Sequence, residues 1–66
     1  MAATHTLKFT TDEIEILIDA LEADQEGYEE SAKEARGNNR RSEVATYTEA
    51  ATRIGAVLEK LRPLVD

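Results

Sequence analysis

Apolar residues recur along this chain at alternating steps of three and four, in two stretches separated by a short polar turn. The row in the first stretch is Ile14, Leu17, Leu21, Asp24, Tyr28, Ser31 and Ala35. The row in the second stretch is Val44, Tyr47, Ala51, Ile54, Leu58, Leu61 and Val65. This period matches one face of an α-helix. The pattern therefore predicts an all-α fold, an antiparallel two-helix hairpin whose two rows form one apolar seam.

The start of the first helix carries two local signals. Thr10 is followed three residues later by Glu13, which is the spacing of a capping box. Phe9 and Ile14 flank the same start at the spacing of a hydrophobic staple. Both signals predict that Thr10 caps a helix beginning at the next residue.

Gly37 is predicted to adopt the left-handed conformation that ends the first helix. One of the two asparagines after it is predicted to cap the second helix, which would instead begin at Ser42 if the arginines stay in the loop. Pro63 is predicted to end that helix near Leu61, because a residue before proline disfavours helical geometry. The resulting single domain has an arm at 1–9, a first helix at about 11–36, a turn at 37–39, a second helix at about 40–61 and a tail at 62–66.

Two features of the predicted seam concern its side-chain pairing. Folding the chain at the turn sets each tyrosine opposite a small residue, Tyr28 against Ala51 and Tyr47 against Ser31. Asp24 breaks the apolar row and needs a partner if it is buried, for which Arg53 is the nearest candidate. Alternatively, a rotation of the helix leaves Asp24 at the edge and brings Gln25 into the seam.

A chain of 66 residues without cysteine buries little surface on its own and has no disulfide to supplement its core. Oligomerisation into a helical bundle is therefore predicted. Apolar side chains outside the seam predict the subunit interface, or alternatively are scattered surface residues of the usual kind. The predicted interface residues are Ile16, Ile18, Ala20, Val57 and Leu64.

The net charge of −6 argues against binding to a nucleic-acid backbone, because such binding depends on lysine and arginine. Nine acidic and no basic residues lie between Asp12 and Glu30, whereas basic residues cluster around the turn. Arginines beside a helix start suggest a site for a phosphate, or for a carboxylate of a neighbouring subunit. The predicted ligand-binding residues are Lys33, Arg36, Arg40, Arg41, Tyr28 and Tyr47. The alternative is a solvated loop tip with both tyrosines in the core.

Residues that would support catalysis are sparse. The single histidine, His5, precedes both helices, and no Glu-x-x-His pair of a carboxylate metal bundle is present. No glycine-rich phosphate loop occurs, and no serine or threonine has a histidine partner on the helices. We therefore expect no enzyme, no metal and no cofactor. Without a secretory signal or a membrane-length apolar run, we expect a cytoplasmic protein.

The stretch Phe9–Ile14 leading to Leu17 and Leu21, followed by Tyr47 and the stretch Ile54–Leu61, resembles small helical-hairpin proteins of phage genomes. Some proteins of that build are counter-defence factors, including oligomeric sponges that sequester cyclic nucleotides, and the resemblance implies the cytoplasm of a host cell. Three functions are predicted: an oligomeric interaction module that binds a protein partner, a sponge for an anionic nucleotide at the basic tip, or an acidic mimic of nucleic acid.

Overall fold

The computed structural model describes residues 3–65. It contains helix α1 (Thr11–Gly37), helix α2 (Arg41–Leu61) and a short 3-10 helix, Arg62–Leu64. The two long helices pack against each other in antiparallel directions, which confirms the predicted all-α hairpin. Residues 1 and 2 of the predicted arm and residue 66 of the predicted tail lie outside the described residues.

The capping box at the start of α1 is formed as predicted. The backbone N–H of Glu13 donates to Thr10 Oγ1 at 3.2 Å, and the backbone N–H of Thr10 donates to Glu13 Oε1 at 2.8 Å. Asp12 and Glu13 also place negative charge in the first turn, where the helix dipole favours it. The first turn of α1 is therefore determined by residues within it.

Removing this cap should cost a measurable part of the stability. We expect Thr10→Ala to lower the free energy of unfolding by about 1 kcal/mol, the usual loss for a side-chain cap. Urea denaturation followed by far-UV circular dichroism measures the change. Thr11→Ala, one residue further on and outside the capping box, serves as the control, and equal losses in both variants would contradict a stabilising role of the cap.

The turn between the helices differs from the prediction. Gly37 is the last residue of α1, and the left-handed conformation belongs to Asn39, with φ of 57°. Asparagine tolerates this region better than most residues do. The side chain of Asn38 donates to the carbonyl of Glu34 at 2.9 Å, so this amide closes α1 and is not available to α2. The predicted asparagine cap is therefore wrong, and Arg40 precedes α2 without a side-chain cap.

The end of α2 at Leu61 agrees with the prediction, but the chain does not leave the helical region there. Arg62 keeps helical backbone angles (φ −54°, ψ −43°), and the 3-10 turn accommodates Pro63. Arg62 Nη2 lies 2.9 Å from Glu22 Oε2 of α1. Since both side chains are about half exposed, this ion pair contributes at most about 1 kcal/mol, but it fixes the tail against α1.

The seam on α1 is rotated relative to the predicted row. The buried residues are Ile14, Ile18, Ala32 and Ala35 of α1 and Ala51 and Leu58 of α2. Ile18 replaces Leu17 as the buried residue, and Ala32 replaces Ser31. Ile18 is only 8% exposed and packs with Ile14 and Leu58, so the prediction that it lies at a subunit interface is corrected. The row through Ile18 and the row through Leu17 both start at Ile14 and have the same period. Packing against α2 selects the row through Ile18.

The same rotation decides the positions of Asp24 and Gln25. Asp24 is exposed, whereas Gln25 is half-buried and donates its Nε2 to the carbonyl of Ala51 at 3.0 Å. Arg53 does not pair with Asp24 and instead binds a carboxylate of its own helix. A Cβ at Gly55 would lie 3.0 Å from Gln25 Nε2, so the missing side chain leaves room for this hydrogen bond between the helices.

The two tyrosines contact each other across the seam. The rings of Tyr28 and Tyr47 are half-buried, with centroids 6.2 Å apart and planes tilted by 35°. This distance lies within the range of favourable aromatic pairs. The predicted pairing of each tyrosine with a small residue did not include this contact between the two half-buried rings.

Candidate functional site

The hairpin is a single layer of helices. Its extents are 43 × 28 × 14 Å, and Leu58 is the one side chain that is fully buried in the described part of the chain. The solvent-accessible surface is 5544 Å². A folded monomer of 7.3 kDa is expected to expose about 4,200 Å², so this chain exposes about 1,300 Å² more. The candidate functional surfaces are therefore the two flanks of the layer, on either side of the seam.

One flank is charged. Successive helix residues turn by about 100°, so the residue following each seam residue points to the same side on both helices of an antiparallel pair. On this side α1 carries Glu22, Glu26, Glu29, Lys33 and Arg36, and the tail adds Arg62. We call these residues the charged flank.

A cleft of about 760 Å³ lies between the helices on the charged flank. Its floor includes the small seam residues Ala32 and Ala51, and its α2 wall consists of Thr48 and Thr52. The Thr52 hydroxyl donates to the Thr48 carbonyl at 2.9 Å, so it is already satisfied within its helix. This cleft was not predicted from the sequence, in which the signal for it is a small seam residue on each helix, Ala32 and Ala51.

The charged flank continues a stripe of carboxylates along α1. These residues follow steps of three and four over about 25 Å: Asp12, Glu15, Asp19, Glu22, Glu26 and Glu29. Of the nine acids between residues 12 and 30, only Glu22 forms an ion pair with a side chain of residues 3–65. Like charges at these spacings oppose each other slightly. Six carboxylates of α1 therefore lie on this side.

The opposite flank is apolar towards the open end of the hairpin. Residues that precede a seam residue point to this side. They include Ala50 and Val57 of α2 and Leu64 of the 3-10 helix, each seven residues from the next. Val57 is 44% exposed and Leu64 is 59% exposed. Leu17 of α1 is half-buried on the same side. We call Leu17, Ala20, Ala50, Val57 and Leu64 the apolar flank.

The five residues predicted to form a subunit interface do not share one surface. Ala20, Val57 and Leu64 lie on the apolar flank, whereas Ile18 is in the core. Ile16 is two residues from both Ile14 and Ile18, which places it about 160 to 200° around the helix from them. It therefore points away from α2 on the back of α1, where it is 66% exposed.

The residues predicted to bind a ligand are also separated. A cleft of about 220 Å³ at the turn is lined by Arg36, Asn39, Arg40, Arg41 and Val44. Arg40 Nη1 lies 3.4 Å from a carboxylate oxygen of Glu43. Lys33 lines the cleft of the charged flank, and neither tyrosine lines the cleft at the turn. The structure thus brings together three of the six predicted residues.

No group of three or more histidine, aspartate or glutamate side chains is placed to hold a metal ion within residues 3–65. Over the same residues, neither helix is long and apolar enough to cross a membrane. The described part of the chain has three distinct surfaces: the apolar flank, the charged flank and a basic tip at the turn, which is formed by Arg36, Arg40 and Arg41. Comparison of the chain with protein-family models, with curated proteins and with solved structures finds no match.

Proposed function

We propose that this protein is a non-enzymatic interaction module that works as an oligomer of helical hairpins. The observation that carries the proposal is the large exposed surface of a layer with one fully buried side chain. Two helices alone enclose only a small core along their seam, because every residue away from the seam faces solvent. A second pair of helices would bury apolar side chains that a single hairpin leaves exposed.

The exposed area has the size that this association requires. A stable protein interface buries about 800 Å² on each partner, and the excess surface of the hairpin is about 1,300 Å². Part of that excess belongs to the exposed arm at 3–10, and the rest to the helices. Chains of this length without disulfides or metals commonly reach stability by oligomerising.

The full-length protein should therefore not be a monomer. We expect sedimentation and native mass spectrometry at micromolar concentration to give a dimer or a larger assembly. A folded species of 7.3 kDa under these conditions would contradict the proposed function. The same mass spectrum tests the basic tip, because a retained phosphate or nucleotide would add a defined mass to each subunit and would favour the predicted anion site.

A further inference from the structure

We infer that the apolar flank is the surface through which two copies of this chain associate, giving a two-fold symmetric four-helix bundle. This inference rests on the proposed function and names the surface and the occupant. It follows from the arrangement of apolar and charged side chains around the two-helix layer.

Apolar side chains form a continuous surface on this flank. Val57 of α2 and Leu64 of the following 3-10 helix are exposed, and the seam residue Leu61 between them in sequence is half-buried. Leu17 extends the surface onto α1 beside the α2 row. The surface thus crosses both helices at the open end, which is the form that a second pair of helices can cover.

Two-fold symmetry also favours the apolar flank over the other surfaces. In a two-fold dimer the same patch lies on both subunits and meets itself. A dimer closed through the charged flank would bury the carboxylate stripes of both subunits in one interface, which is unfavourable. The back of α1 has Ile16 as its one large exposed apolar side chain among the described residues, with Asp12, Glu13 and Asp19 three or four residues away on the same face. No acidic residue stands at those distances from Val57.

Charged side chains at the edge of the apolar flank favour the same dimer. Asp24 and Arg53 both precede a seam residue and are exposed on this side. Asp24 forms no ion pair among the described residues, and Arg53 pairs only with Glu49 of its own helix, at an exposed site. A two-fold arrangement that lays α1 of one copy along α2 of the other brings an acid-bearing edge to a base-bearing one. The carboxylate stripe then faces solvent on both outer sides, where charge repulsion between the subunits is smallest.

The test compares two carboxylate substitutions on the full chain, Val57→Glu and Ile16→Glu. Both change an exposed, branched apolar side chain in a helix, and Ile16 is the more exposed of the two. We expect Val57→Glu to sediment as a monomer where the wild type and Ile16→Glu are dimers. Circular dichroism verifies that each variant is helical.

A milder substitution keeps the inference testable if Val57→Glu does not fold. Val57→Ala should raise the dissociation constant of the dimer by about tenfold or more, because each dimer loses two buried side chains. The same change at Ile16 should leave the constant within about twofold, since that residue stays in water.

The outcomes separate the inference from the proposed function. A wild-type monomer overturns the proposed function and the inference together. A wild-type oligomer that survives the Val57 substitutions, or that Ile16→Glu dissociates equally well, overturns the inference and leaves the proposed function standing. Loss of assembly in an Arg40→Gln, Arg41→Gln double variant, with Val57→Glu still assembled, would instead place the basic tip of one copy on the acidic helix of another.

Discussion

Replacing Leu58 with aspartate is expected to unfold the hairpin. Leu58 is fully buried between Ile14 and Ile18 and is the centre of the apolar cluster. The substitution removes a buried side chain worth about 2 kcal/mol and places a carboxylate among apolar side chains. A chain of this length has a stability of only about 3–5 kcal/mol, so the combined loss exceeds what the fold can absorb. Far-UV circular dichroism should show loss of most helical signal at room temperature.

Ala56→Asp is the matched control for this experiment. Ala56 is exposed on the same helix two residues away, so the same side chain remains in water there. The expected cost is about 0.5 kcal/mol, the difference in helix propensity between alanine and aspartate. If Leu58→Asp melted like the wild type, or like Ala56→Asp, Leu58 would not lie in the core.

Ile18→Ala is expected to lower the free energy of unfolding by about 2–3 kcal/mol, and Ile16→Ala by no more than about 0.5 kcal/mol. The two residues have the same side chain and are two positions apart, but Ile18 is 8% exposed and Ile16 is 66% exposed. Truncation of Ile18 leaves a cavity beside Leu58, whereas truncation of Ile16 removes surface that was already in water. Urea denaturation at one fixed protein concentration measures both, because the stability of an oligomer depends on concentration.

Leu17→Ala tests a residue of intermediate burial in the same experiment. Leu17 is half-buried, so its truncation should cost an amount between the other two. A larger loss at Leu17 than at Ile18 would restore the seam predicted from the sequence, with Leu17 facing α2. A larger loss at Ile16 than at Ile18 would place the back of α1 in contact with protein.

The ends of the helices show what local signals determine. The capping box of Thr10 and Glu13 involves atoms within four residues, so its presence in the sequence is nearly sufficient for its formation. The end of α2 at Leu61 also follows from Pro63, but for a different reason from the predicted one. Arg62 keeps helical angles, whereas proline has no backbone N–H to continue the α-helical hydrogen bonds. The row from Val44 to Val65 was predicted correctly because all seven of its positions are apolar or aromatic, whereas the row through Val57 is interrupted by Arg53 and Lys60.

The sequence by itself therefore determined two helices, their approximate limits and the apolar face of α2. It did not determine the rotation of α1, because rows through Leu17 and through Ile18 have the same period and only contact with α2 distinguishes them. The two flanks follow from that rotation. Whether Glu22, Val57 or Ile16 faces a cleft, a partner or open solvent depends on which side of the seam each residue lies. The two sides of the seam are defined only when α2 packs against α1, because an isolated helix has no seam.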